Sequence, residues 1–275
     1  MIHLDKKDYF PDFYYHRTAS PVYRRYLESC GPETYILGSG PQYGWKKNLL
    51  GFHIIKHERT DFGPDIEDLK LNGVKHAFVA WIPDRRTDIP VWWRKLWLSD
   101  HFQETGFTIL DENYRKKWNE RARRAEKKFL ASAAVIEEVT PEVFIKAFSA
   151  TKVKHWYKGA YISYYKRMVA IGPESIRQWL CLVDGVPVAG LAVHDYLNSS
   201  VHLVAFTGRE AYRVQWGTGL IDEWFSSSLK TWIKYLSFDQ LRQKGWPGDQ
   251  KGYTEFKENF IEYRMSYPQA YFRFF

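Results

Sequence analysis

Cysteine is scarce in this chain, two residues in 275, and Cys30 and Cys181 stand far apart with no metal-ligand spacing around either. A disulfide framework and a cysteine-based zinc site are therefore not expected, and the two thiols read as reduced and buried. No other grouping points to a metal. Long apolar runs are missing too: the longest, residues 185–193, falls well short of the roughly 20 residues that a membrane-spanning helix needs. The opening Met1-Ile-His-Leu-Asp-Lys-Lys lacks the apolar centre of a signal peptide, so the expected location is the cytoplasm. Acidic residues are in the minority, 32 against 40 lysines and arginines, for a net charge of +8. That balance favours anionic partners such as tRNA, nucleotide phosphates or lipid head groups, and leaves open a peripheral membrane contact; a merely solvated basic surface has the same composition.

What is abundant is aromatic and apolar content, 18% and 45% of the chain, enough for one large or two small cores. β-like runs at residues 34–37, 49–57 and 74–81, separated by Gly, Pro and Asp clusters, make the first region β-rich. Trp93, Trp97 and Phe102 recur at roughly helical spacing and predict a helix over residues 91–105, closed by Gly106 before a strand at 107–110. Residues 113–129 form the densest charge run, in good helix formers, and predict one basic connecting helix. A solvated helix laced by charge pairs is the alternative to an anion-binding one.

The second half is more sharply punctuated. A strand at 135–139 leads into Thr140-Pro141, an N-cap followed by proline in the first turn of a helix. A helix at 161–170 follows, then strands 177–183 and 186–196 joined at Asp184-Gly185, the clearest hairpin signal in the chain. A third strand at 201–206 precedes a long amphipathic helix over 212–234, with Leu220, Trp224, Leu229 and Trp232 available for its inner face. A strand at 235–238, a polar loop containing Gly245, Pro247 and Gly248, a helix at 253–260 and a last strand at 271–275 complete the order.

Hairpin, third strand, long helix, short strand, helix and last strand is the core order of GNAT acyltransferases, and three stretches resemble the FemABX family. They are Gly106-Phe107-Thr108-Ile109 with the Arg/Lys-rich run from Tyr114 to Lys127, the hairpin Val183-Asp184-Gly185-Val186-Pro187-Val188-Ala189-Gly190, and Lys251-Gly252-Tyr253-Thr254-Glu255-Phe256-Lys257-Glu258-Asn259-Phe260. The resemblance implies an α/β (α+β) fold of two GNAT-like lobes, mixed sheets with flanking helices. Its expected boundaries are a shortened lobe at 1–112, the basic connecting helix at 113–130 and a GNAT domain at 131–275. It implies aminoacyl transfer from aminoacyl-tRNA to an amine of a nucleotide- or lipid-linked peptide, a cell-wall precursor, with no cofactor. The family's reaction centre carries onto Phe256 and Lys257. The inserted coiled-coil arm that elsewhere in the family contacts tRNA has no counterpart here.

Amide formation needs an uncharged amine held about 3 Å from the carbonyl and charge stabilisation for the oxyanion. Lys257 is the candidate donor to that oxyanion or to the leaving 3′-oxygen. His194, Asp195, His202 and Asp239 are the titratable groups at or near sheet strands that qualify as general bases, and spacing singles out none of them. Acyl-CoA enzymes of this fold cradle a pyrophosphate on glycines at the start of the long helix. Here that segment is Arg213-Val214-Gln215-Trp216-Gly217-Thr218-Gly219, where Gly217 and Gly219 fit but Val214 and Trp216 do not, so a donor other than CoA is favoured. Arg213, Gln215, Gly217 and Gly219 remain candidate phosphate contacts. Lys154, His155, Lys158 and Arg167 are candidates for holding the acceptor, and Arg121, Arg123, Arg124 and Lys127 for holding tRNA. An acyl-CoA N-acyltransferase and a non-catalytic RNA- or partner-binding protein of the same fold stay open as alternatives.

Overall fold

In the computed structural model of the chain, residues 1–4, 12–13, 17–37, 41–84, 91–96, 104–151, 158–208, 215–241 and 251–275 are described. They form two compact units: Met1–Gly106 with Gln240–Thr254 and Tyr263–Phe275, and Phe107–Asp239 with Glu255–Glu262. Each is a mixed sheet with flanking helices.

The first unit begins with β1 (Ile2–Leu4) and α1 (Pro21–Ser29). Ser20 caps α1, its side chain accepting from the Tyr23 N–H, with Pro21 in the first turn. Strands β2 (Glu33–Ile36), β3 (Tyr43–Leu49) and β4 (Phe52–Thr60) follow, then α2 (Ile66–Leu71), β5 (Ala77–Pro83) and β6 (Arg94–Lys95). The run read as one strand over 49–57 is a turn and the following strand. Leu50 and Gly51, both at positive φ, reverse the chain between β3 and β4. The helix expected over 91–105 is absent from its described residues: Arg94–Lys95 and Glu104–Ile109 are strands, and Gly106 lies inside the second of them. Trp97 and Phe102 lie outside the described residues. Trp93 is buried because its ring meets Trp81 edge-on at 6.0 Å, in a core with Ile55, Ile66, Val74 and Val79. Its apolar character serves that core and not a helical stripe.

Strand β7 (Glu104–Ile109) carries the chain into the second unit. The basic stretch there is two helices, α3 (Tyr114–Lys117) and α4 (Glu120–Leu130), parted at buried Trp118 and restarted by an Asn119 N-cap. Next come β8 (Val135–Glu138), α5 (Pro141–Ala150) capped by Thr140, α6 (Lys158–Ile171), β9 (Ile176–Val183), β10 (Val186–Tyr196) and β11 (Ser199–Thr207). Helix α7 (Trp216–Ser228) and strand β12 (Tyr235–Gln240) complete the sheet, whose hydrogen-bonded order within this unit is β7-β12-β11-β10-β9-β8. Leu220 and Trp224 are buried on α7 as expected of an inner face. Leu229 and Trp232 fall beyond its last turn and are exposed, because the helix stops at Ser228. Helix α8 (Lys251–Lys257), β13 (Tyr263–Ser266) and β14 (Tyr271–Phe274) end the chain; the loop expected at Gly245, Pro247 and Gly248 lies outside the described residues.

Strand β14 does not extend the second unit's sheet. It inserts between β5 and β6 of the first, Phe274 opposite Phe78 and Phe272 opposite Arg94. Four residues, three of them aromatic, mark a strand, but they carry no sign of which sheet they complete, so the expectation of one domain over 131–275 could not anticipate this.

Candidate active site

The two sheets repeat one motif: antiparallel strands followed, through a helix, by a strand parallel to the last of them. In the first unit the parallel ladder between β4 and β5 runs from His53 opposite Ala77 to Thr60 opposite Pro83. In the second unit the equivalent ladder between β11 and β12 covers only Ser199–Tyr235, Ser200–Leu236 and Val201–Ser237, although β11 continues to Thr207 and β12 to Gln240. The strands therefore part at His202 and Phe238. A bulge marks the same place: His202 stands opposite Val193 and Val204 opposite Ala192, which leaves Leu203 as an extra residue in β11.

Parted strands leave backbone groups to be satisfied by something else. At the Phe238 carbonyl that partner is Lys257, the last residue of α8, whose Nζ donates to it at 2.5 Å. The side chain is 3% exposed. Burial pushes its ammonium down to about 8 from the ordinary 10.5, against an opposing pull from the Asp239 carboxylate. Burial, with the positive charge of Lys257 added to it, drives the His202 imidazole down to about 3. Lys257, Asp239 and His202 thus share one electrostatic neighbourhood at the fork. Asp239 also has φ 57°, the left-handed region that a non-glycine residue enters only at a cost.

Aromatic contacts set α8 in place. Phe256 stacks on Trp216 at 6.3 Å and meets Phe260 at 5.0 Å, and Phe260 in turn meets Trp118 and Phe238. The remaining base candidates are occupied in ways that hold the sheet together. Asp195 takes a two-pronged bond from Arg177, at 2.6 and 3.1 Å, and that guanidinium also reaches Ser227 and Ser228 of α7. His194 is buried beside the Ser175 carbonyl, 3.3 Å from Nδ1, and burial lowers its pKa to about 4.

No protein-family model matches this chain, and no curated protein matches it in sequence. Its architecture does have counterparts. The crystal structure of FemX superposes with a TM-score of 0.69 at 11% identity, over 92% of this chain and 90% of that one. The chain has the FemX fold. A conserved protein of unknown function from Bacteroides thetaiotaomicron (TM-score 0.61, 11% identity, 94% and 90% covered) and L-PGS from Bacillus licheniformis (0.56, 9%, 91% and 87%) are similar to it as well. Among the described residues, no His, Cys, Asp and Glu grouping that would hold a metal is found, and no helix is long and apolar enough to cross a membrane.

On this FemX-type scaffold the remaining candidates scatter. Gly217 and Gly219 sit under aromatic rings: a Cβ on Gly217 would lie 2.8 Å from Phe256, and one on Gly219 2.5 Å from Phe129 of α4. These glycines let two rings settle on α7. Gln215 precedes the helix at φ 54° without a side-chain cap bond. Lys158 donates to the carbonyls of Ser149 and Thr151, at 2.8 and 2.6 Å, and so closes the C-terminal end of α5. Arg167 is exposed on α6, as are Arg121, Arg123, Arg124 and Lys127 on α4, where Arg124 pairs with Glu120 at 3.2 Å. Within the same basic run, Arg115 clamps Asp222 through two 2.7 Å bonds and Lys117 bridges Asp111 and Glu262. Lys154, His155 and Arg213 lie outside the described residues.

The ring contacts give a direct prediction. Gly219→Ala and Gly217→Ala each force an aromatic side chain off its seat and are expected to destabilise the protein by about 1–3 kcal/mol. Gly159, which has open space around its Cβ position and lies in α6, is the control: Gly159→Ala should be neutral or stabilising. Thermal unfolding of the three variants checks the order.

Sequence reasoning had no means of finding the Phe238 carbonyl, because a main-chain group carries no residue signature. Nor did it separate His202 and Asp239 from His194 and Asp195; the strand on or next to which each lies was legible, but which strands part was not.

Proposed function

We propose that this chain is an N-acyltransferase that takes an aminoacyl group from an aminoacyl-tRNA and joins it to an amine of a peptide- or lipid-linked acceptor, with Lys257 as the acid of the reaction. The observation that carries the reading is the buried ammonium bonded to the Phe238 carbonyl, at the first residue of β12 beyond its pairing with β11. The amine nitrogen attacks the ester carbonyl carbon, and the resulting oxyanion collapses with cleavage of the bond to the 3′-oxygen. That oxygen takes its proton from Lys257, an acid whose pKa of about 8 lies close to neutral pH. Of the four candidate bases, Asp195 is committed to Arg177 and His194 to the Ser175 carbonyl, and an imidazole held near 3 is a poor proton acceptor. Asp239 is left to receive the proton lost by the amine. Phe256, stacked on α7, is a positioning residue for its neighbour Lys257. A lipid-linked acceptor draws support from the name lysylphosphatidylglycerol synthetase, given provisionally to a protein of similar fold from Agrobacterium fabrum.

CoA as donor is disfavoured, since the glycines that would cradle its pyrophosphate lie beneath Phe256 and Phe129. Incubation with labelled aminoacyl-tRNAs and candidate amines, followed for amide formation against simple deacylation, tests the proposal. Amide product dependent on both substrates is the expected result. Tight CoA binding with no retention of charged tRNA would overturn the choice of donor.

A further inference from the structure

The hairpin joining β3 and β4 ends in Leu49-Leu50-Gly51-Phe52, and its apolar side chains face outward. Leu50 is 107% exposed, Leu49 46% and Phe52 38%. The turn has φ 54° at Leu50 and 87° at Gly51, and the Gly51 N–H donates to the Asn48 side chain at 2.8 Å. Two successive positive φ values at a hairpin tip favour Asn, Asp or Gly at the first position. Leucine is among the worse choices there: its branched side chain gains no burial and its backbone is held in the left-handed region. Folding alone gives no reason for this residue.

The tip continues into a half-buried sheet face. Leu49 stands opposite Phe52, Lys47 opposite Ile54, Ile54 opposite Phe78 and Phe78 opposite Phe274, so these side chains share one side of the sheet. Ile55, Val79 and Trp81 occupy the other side, in the core with α2. Phe274, with its ring 5.2 Å from that of Phe78, is 62% exposed, and Leu71 at the near end of α2 is 87% exposed. Basic residues flank this apolar tip. Lys75 and His76 are exposed, and the His76 carbonyl accepts from the His53 N–H at the base of the hairpin. The nearby carboxylates are engaged: Asp65 caps the far end of α2, Glu67 pairs with Lys70, Asp68 accepts from the Asn72 side chain at 3.2 Å, and Glu33 pairs with Lys46.

We infer that the β3–β4 tip is a membrane-docking element: Leu49, Leu50 and Phe52 enter the boundary between head groups and acyl chains of an anionic bilayer, and Lys47 and Lys75 meet the lipid phosphates. A side chain projecting wholly into solvent suits insertion into a fluid surface, whereas a matching protein face would have to supply a pocket for it. Flanking lysines supply the charge complementarity that anionic lipid adds to apolar insertion. The inference does not depend on the reaction proposed above.

Co-sedimentation of the full chain with vesicles of phosphatidylcholine, with and without phosphatidylserine, tests it. The protein should partition onto the phosphatidylserine vesicles, less so as salt rises. Leu50→Asn should weaken partitioning by about tenfold or more. Its thermal midpoint should hold or rise, since asparagine tolerates the turn better, so the loss is not unfolding. Lys47→Glu with Lys75→Glu should abolish the preference for phosphatidylserine. Absence of vesicle binding, or binding indifferent to Leu50→Asn, overturns the inference. So does self-association that Leu50→Asn removes in a protein that ignores vesicles, which would assign the tip to a second copy of the chain.

Discussion

Lys257→Met is expected to lower the rate of aminoacyl transfer by about 10²–10³-fold, the usual effect of removing one preorganised donor from a developing oxyanion or leaving group. Folding should survive the change. The wild-type rate should fall above pH 8, about tenfold per unit, as the ammonium, held near 8 by burial, loses its proton. The variant should lack that limb in its residual activity.

Stability provides the second readout. The folded protein holds Lys257 near 8 while the unfolded chain holds it near 10.5, so between those values the unfolded state binds the extra proton. Wild-type stability should therefore rise as pH climbs from about 8 to 10.5, by at most roughly 3 kcal/mol, and that contribution is missing at neutral pH. Methionine removes the buried charge but leaves the Phe238 carbonyl without the lysine donor, a loss of about 1–3 kcal/mol. The two terms nearly cancel, so urea midpoints at pH 7 should differ little and the alkaline rise should vanish in the variant. A lysine with only a structural role would show lost stability and an unchanged rate for the folded fraction.

Trp224→Ala is expected to cause the largest loss of stability from a single side chain, about 3–5 kcal/mol. Trp224 is fully buried on α7, meets Phe225 and Phe238 edge-on at 5.8 and 5.2 Å, and donates its indole N–H to Ser200 at 2.8 Å. Ser200 lies in the stretch of β11 that pairs with β12, and Phe238 begins the stretch of β12 that has parted from β11. Truncation empties a ring-sized volume directly behind the fork and leaves the Ser200 hydroxyl without this donor. A shift of the urea midpoint at constant slope measures the cost. Trp224→Phe, which keeps most of the apolar volume, should cost about 1–2 kcal/mol.

How much of this was legible in the sequence follows from the range of the forces involved. Asp184-Gly185 marked a hairpin because two positive φ values are a local demand, and the turn has them, 52° and 73°. Thr140-Pro141 marked a helix start for the same reason, since a cap bonds its own helix. Leu50-Gly51 makes the same kind of turn and escaped notice because leucine is the wrong residue for it. The Trp93, Trp97 and Phe102 spacing misled because an apolar period reports burial and not the element that is buried. Gly217 and Gly219 read as a weakened phosphate motif, and in the structure they lie beneath Phe129 and Phe256, residues that are remote in sequence.

The sequence by itself determined the order of strands in the second unit, the Thr140 N-cap and the hairpin there, and the residues of α8 that resemble the FemABX reaction centre. Each is set by interactions among neighbours along the chain. Only the tertiary structure decided that β14 completes the first unit's sheet, that β11 and β12 part after three residue pairs, and that Lys257 lies buried against the Phe238 carbonyl. Ladder length, burial and the pKa of an ammonium depend on which distant groups share a small volume, and no local pattern of residues specifies that.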